Sequence, residues 1–228
     1  MAGERLERIL ADLLAGARSS VRLCEVSTDL IGMTGAGVML MSGDIPRGSV
    51  CSSDPVSALI EDLQFALGEG PCVDAYRLDR VVAEPDLAHP DAPRWLAFTP
   101  QAVEAGARAV FGFPIRAGAI RLGALNLYRD RPGSLSNDQH ADGLVMADVA
   151  ARWVLGSQAD APPGALAAEL ESGADFHYIV HNAAGKLSVQ AGVSVTEALI
   201  RLRAHAFSTA RPLRSVAEGV VAGTLRIE

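Results

Sequence analysis

The sequence predicts an α+β domain, an antiparallel sheet flanked by helices, followed by a small all-α domain of three helices. Three observations predict this. The apolar runs Ala109–Ile115 and Ile120–Tyr128 flank a turn at 116–119 and read as an antiparallel hairpin at the centre of a sheet. Around it, periodicities follow the order helix, strand, strand, helix, short strand, helix, strand, strand, helix, which a layered antiparallel sheet accommodates. The stretch from Val180 to Val221 then reads almost residue by residue as helices and their punctuation.

Near the start, Leu6, Ile9, Leu10, Leu13 and Leu14 alternate with Glu4, Arg5, Glu7 and Arg8 as an amphipathic helix, unlike the uninterrupted apolar centre of a signal peptide. Val21, Cys24, Val26 and Leu30 mark a second helix. Val38–Met41 is a buried strand, Gly43-Asp44 a turn, and Ser49–Ser52 its hairpin partner. Asp54-Pro55 supplies an N-cap and a first-turn proline for a helix with an apolar face of Leu59, Ile60, Leu63, Phe65, Ala66 and Leu67. Gly68-Glu69-Gly70-Pro71 stops it, and Cys72–Tyr76 restarts a short helix. Val81–Ala83 is a brief strand, and helical spacing runs from Trp95 to Ala107. After the hairpin, in which Pro114 lacks a ladder donor, Ser136 and Gln139 form a capping box for a helix through Leu144, Val145, Ala147, Val149, Ala150 and Trp153. Residues 156–164 are small, polar and proline-bearing, and read as a linker between domains at 1–155 and 165–228.

The second domain opens with a helix from about Ala165 to Ala191, in which Val180, Ala183, Ala184 and Leu187 recur at helical spacing before Gly192. Ser194 and Glu197 form a capping box ahead of Ala198, Leu199, Leu202, Ala206 and Phe207. Pro212 opens a third helix carrying Leu213, Val216, Ala217, Val220 and Val221, and Gly223 ends it.

Composition narrows the function. The chain has 228 residues, 49% of them apolar, and a net charge of −7. No apolar run reaches the roughly 20 residues of a membrane span, so a cytoplasmic protein is expected. Three widely spaced cysteines, Cys24, Cys51 and Cys72, suggest reduced thiols rather than a disulfide framework or a zinc site. The acidic balance argues against coating nucleic acid with the whole surface. From Asp175 onward, however, the chain is net +2, and a small basic module on an acidic protein suggests a local polyanion contact. A solvated arginine face is the competing reading. His177 and His181 have metal-sharing spacing but lack the glutamate of a metalloprotease helix, the Gly-Glu-Gly-Pro stretch lacks the Lys-Ser/Thr of a phosphate loop, and Gly-x-Ser-x-Gly does not occur. Neither a metal site nor an enzyme is expected.

Two resemblances follow from these residues. Ala183, Gly185, Leu187, Gly192, Ser194, Glu197, Ala198, Leu202, Arg203, Pro212-Leu213, Val216-Ala217 and Val220-Val221 resemble the ANTAR domain, a three-helix RNA-binding module of bacterial transcription antiterminators. The family usually has Ala-Lys-Gly where this chain has Ala183-Ala184-Gly185. Leu67–Cys72, Ala83–Leu87 and Gly123–Tyr128 are similar to a GAF domain over roughly residues 5–155, in the style of GAF domains joined to ANTAR domains in actinobacteria. The resemblance implies a small-molecule cavity on one sheet face, walled by Cys72, Val73, Asp74, Tyr76, Phe111, Phe113 and Asn126, with an unknown ligand. At a helix start, Cys72 would have a lowered thiol pKa and could serve redox sensing. The ANTAR resemblance implies nascent RNA hairpins as partners, contacted through Lys186, Arg201, Arg203, His205, Arg211 and Arg214. The expected whole is a homodimeric, signal-responsive antitermination regulator. The alternative is a ligand-binding or dimerisation module whose ANTAR-like half no longer binds RNA.

Overall fold

The computed structural model describes residues 9, 20–42, 45–159, 174–209 and 211–227, and in these the hairpin is the spine of a five-stranded antiparallel sheet. Apart from Ile9, the amphipathic helix at Leu6–Leu14 lies outside the described residues, as do the turn at Gly43-Asp44 and the segment 165–173. The elements are α1 (Ser20–Ile31), β1 (Gly35–Ser42), β2 (Ile45–Ser52), α2 (Pro55–Leu67), α3 (Pro71–Leu78), β3 (Val82–Glu84), α4 (Phe98–Glu104), β4 (Ala109–Ala117), β5 (Ile120–Arg129) and α5 (Asn137–Ala159). Strand order is β2-β1-β5-β4-β3, so β5 is central and pairs on one side with β4 and on the other with β1.

Side-chain alternation gives the sheet two different faces. On one, Val38, Phe111, Phe113, Ile115, Leu125 and Leu127 pack against α1 and α5 through Leu23, Met146, Val149 and Trp153. On the other, Val110, Ala124 and Tyr128 pack with Ile60 and Leu63 of α2, Cys72 and Ala75 of α3, and Trp95 and Phe98. The two cores explain why the central strands read as nearly continuous apolar runs.

Local punctuation matches the sequence in most places. Asp54 caps α2 by accepting from the amides of Val56 and Ser57, and the Ser57 hydroxyl completes a capping box by accepting from the Asp54 amide. Ser136 and Gln139 exchange both bonds of the expected box, at 3.2 and 3.0 Å. The helix expected from Trp95 to Ala107 spans only Phe98–Glu104. Trp95 has a φ of 53°, and the amides of Ala97 and Phe98 donate to the Glu69 carboxylate instead of entering a longer helix. Its apolar spacing serves core contacts by Trp95, Phe98 and Ala102 without helical backbone throughout. Helix α5 continues to Ala159, through the first residues of the stretch read as linker.

The expectation of three free thiols is corrected: Cys24 on α1 and Cys51 on β2 form a disulfide, with a Cα–Cα separation of 6.0 Å. Both lie in the core between α1 and the sheet. A pairing between helix and strand depends on how those elements pack, and spacing along the chain does not reveal it.

The chain divides into two compact units, Met1–Ser172 and Gly173–Glu228. The second contains α6 (Ala174–Ala191), α7 (Val195–Ser208) and α8 (Leu213–Ala222). Val180, Ala183, Ala184, Leu187, Ala198, Leu199, Leu202, Leu213, Val216, Ala217 and Val220 are buried there. Phe207 was expected in this stripe but is 66% exposed, because it lies about 100° around the helix from buried Ala206. Ser194 caps α7 through the Glu197 amide, but the Glu197 carboxylate turns to Arg201 at 2.7 Å, so the expected capping box is only half formed.

Candidate functional site

A row of cross-strand partners, Gly37, Asn126 and Gly112, runs across β1, β5 and β4 on the face beneath α2 and α3. Glycine is required on both sides of Asn126 by close approach. A Cβ at Gly37 would meet the Glu61 carboxyl at 2.7 Å, and one at Gly112 would fall on the main-chain carbonyl of Pro71. With those side chains absent, α2 and the start of α3 settle onto the sheet on either side of the Asn126 amide.

Helix α2 contributes Glu61 and Gln64, one turn apart and therefore on one face. Asp54 fixes the start of that helix, and it also accepts from the Tyr128 hydroxyl at 3.0 Å, which ties α2 to β5 two residues from Asn126. Gln64 accepts from the Cys72 amide at 2.7 Å and so joins α2 to the first turn of α3.

The resulting chamber is buried and polar. Glu61 is 1% exposed, and Gln64, Cys72 and Asn126 are each 0% exposed. Five polar side-chain atoms in it have no hydrogen-bond partner: both carboxyl oxygens of Glu61, the Nε2 of Gln64, and the Oδ1 and Nδ2 of Asn126. Most buried polar groups in folded proteins are paired, so five unpaired ones on neighbouring elements single out these residues as the candidate site. Burial, with the neighbouring Asp62 carboxylate adding to it, holds Glu61 well above the usual carboxylate range. Burial also pushes the Cys72 thiol well up, Glu61 adds to that, and the Gln64 side chain opposes it. The thiol-activating helix start expected from sequence is therefore overridden.

Of the seven cavity residues expected, Cys72 and Asn126 are fully buried on the same side of the sheet. Phe111 and Phe113 are corrected: they point to the opposite face, into the core with α1 and α5. Residues two apart on a strand share a face, and Gly112, between them, is the β4 residue on the chamber side. Asp74 accepts from the Trp95 indole at 2.8 Å, which braces the segment before α4. Val73 and Tyr76 are buried, and the Arg121 guanidinium lies 5.0 Å from the Tyr76 ring centre. Glu61 and Gln64 were missed. Their signal was polar residues at i+4 and i+7 from Ser57, within a stripe otherwise set by Ile60 and Leu63.

The sheet order, its antiparallel pairing and the flanking helices have solved counterparts. The GAF domain of a phosphoenolpyruvate-protein phosphotransferase from Coxiella burnetii matches with a TM-score of 0.51 at 12% identity, over 68% of this chain and 94% of that one. The first unit has a GAF-domain fold. The corresponding GAF domain from Acinetobacter matches at TM-score 0.48 and 12% identity, over 70% of this chain and 96% of that one. A free methionine-R-sulfoxide reductase from Neisseria meningitidis, in complex with its substrate, matches at 0.46 and 16%, over 67% and 87%. No family model matches the sequence, and no curated protein does.

In the second unit the six expected RNA contacts differ in their surroundings. Arg211 and Arg214 are exposed, while Lys186, Arg201, Arg203 and His205 are half-buried. Lys186 donates to the Val221 carbonyl at 3.0 Å, near the C-terminus of α8 where a cation is favoured. Arg201 pairs with Glu197, and Arg214 with Glu218 at 3.0 Å. Ala184, where the ANTAR pattern has lysine, is 0% exposed and faces the three-helix core. Among the described residues no three His, Cys, Asp or Glu side chains gather as a metal site, and no helix is long and apolar enough to cross a membrane.

Proposed function

We propose that the chain is a signal-responsive regulator in which the GAF-fold unit binds a small molecule and the three-helix unit binds hairpins of nascent RNA to favour antitermination. The observation that carries the sensing half is the chamber's five unpartnered polar atoms at full burial. A protein that keeps such groups unpaired accepts a folding cost which a ligand can offset. No reaction is needed for this role. The output half is supported by the net charge of +2 from Asp175 onward on a chain of −7, by the exposure of Arg211 and Arg214, and by the exposed aromatic Phe207 between α7's arginines and Arg211.

Binding of a two-hairpin RNA, measured by fluorescence anisotropy over a range of salt, tests the output. Phosphate contacts make affinity fall with salt, and each lost contact flattens the log–log slope by about 0.7–0.9. Arg211→Glu and Arg214→Glu are expected to weaken binding and flatten the slope without loss of helicity. Absence of RNA binding by the wild-type chain at low salt would sink the regulator reading. A second reading then stands, in which the three-helix unit is an interaction module without RNA, and the self-contained Arg201–Glu197 and Arg214–Glu218 pairs favour it.

A further inference from the structure

The unpartnered atoms of the chamber have a composition as well as a number, and it restricts the occupant. Three are oxygen acceptors when Glu61 is ionised: its Oε1 and Oε2, and Asn126 Oδ1. Two are N–H donors, Asn126 Nδ2 and Gln64 Nε2. Asn126 is unpaired at both ends of its amide, so exchanging its oxygen and nitrogen leaves the count unchanged. Glu61 and Gln64 share one face of α2, Gln64 reaches Cys72 at the start of α3, and Glu61 lies against β1 at Gly37, the strand partner of Asn126.

Charge selects further. Glu61 is fully buried and accepts no hydrogen bond from any cationic side chain, and Asp62 on the same helix turns the local field against anions. A buried carboxylate is stable only when it meets a positive charge or a proton. An ammonium group has three N–H donors, which equals the three acceptor oxygens, and it brings that charge. The two amide N–H donors then require an acceptor elsewhere on the same molecule. A carboxylate there would be repelled by the acidic helix, whereas a neutral amide or hydroxyl oxygen would not.

We infer that the chamber binds a small primary amine, in its ammonium form, that carries a neutral oxygen acceptor beside it. Glu61 takes the ammonium as counter-ion, Asn126 bridges by accepting from the ammonium and donating to the oxygen, and Gln64 gives the second donor while holding the Cys72 amide with its own oxygen. This ligand class rests on the reading of the GAF-fold unit as a small-molecule receptor.

Glycinamide, which has an ammonium and a neutral carbonyl, is the probe. Acetamide lacks the ammonium and glycine replaces the neutral carbonyl by carboxylate. Thermal unfolding of the full chain at pH 6.5 and constant ionic strength is compared with each, alongside native mass spectrometry of the protein as purified. Glycinamide at saturation should raise the midpoint by about 2–4 °C or more, with acetamide and glycine giving no rise. Glu61→Gln, an isosteric change, should abolish the rise, and Asn126→Leu should abolish it independently. If acetamide or glycine stabilises as well as glycinamide, if Glu61→Gln keeps the glycinamide shift, or if a retained molecule lacks a basic nitrogen, the ligand class is wrong while the receptor reading stands. If no probe shifts the midpoint and no molecule is retained, both fail, and the chamber holds solvent only.

Discussion

At the scale of single residues, Glu61 links stability to pH. Its unfolded carboxyl titrates in the ordinary range near 4.5, whereas in the folded chain burial, then Asp62, raise it well above that value. The folded state therefore binds the proton more tightly than the unfolded state. The stability this gives is fully present below the unfolded value and is lost as pH rises through the folded one, by about 1.4 kcal/mol for each unit of separation. Asp62 is shifted the same way by burial, so the wild-type slope contains both. Glu61→Gln removes the larger contribution and keeps the shape. The variant is expected to be more stable than wild type at pH 8 and close to it at pH 5, as read from urea midpoints. An equal difference at both pH values would mean that the carboxyl is not desolvated as the structure shows. Together with the loss of glycinamide binding, this would make Glu61 a residue kept for binding at the expense of stability.

At the scale of elements, the ends of helices were the most legible features and the partners across elements the least. Asp54-Pro55 and Gly68 mark both ends of α2, because capping uses residues adjacent in sequence. The β4–β5 hairpin was legible for the same reason. Which sheet face covers Phe111 and Phe113 depends on the helices packed on each side, α1 and α5 on theirs and α2 and α3 on that of Gly112, and that packing is a long-range property. Glu61 and Gln64 are hidden in the sequence because apolar periodicity marks the buried face of α2, and by that rule polar residues belong to solvent. The Cys24–Cys51 bridge was illegible on the same ground. It closes a loop of 27 residues between α1 and β2, and in the chain-entropy account this contributes about 3–4 kcal/mol. Reduction by dithiothreitol, or Cys24→Ser, is expected to lower the urea midpoint by that amount in free energy while Cys72→Ser leaves the bridge intact. A wild-type midpoint indifferent to dithiothreitol, with free thiols counted before its addition, would show that the pair does not form in solution.

At the scale of the whole chain, each unit buries its own core and still exposes large apolar side chains. On α5 of the first unit, Leu144 and Leu155 are each 47% exposed. In the second, Ile200, Phe207 and Val189 are 57%, 66% and 85% exposed on α7 and α6. Single exposed apolar residues are ordinary, but three helices offering them in one chain leave area that a second copy would cover, and most soluble assemblies of identical chains are twofold. The mass by light scattering at micromolar concentration is therefore expected to be twice the chain mass of 23.8 kDa. Charged substitutions separate the two surfaces, Leu144→Lys on α5 and Phe207→Glu on α7, and the one that carries the association should shift the mass toward the monomer without changing helicity. The outcome bears on RNA binding as well. If Phe207→Glu leaves a dimer but abolishes hairpin binding, the exposed ring serves the RNA as a stacking surface, and the twofold contact belongs to the GAF-fold unit. A wild-type monomer at these concentrations would refute dimerisation and leave those side chains to other partners.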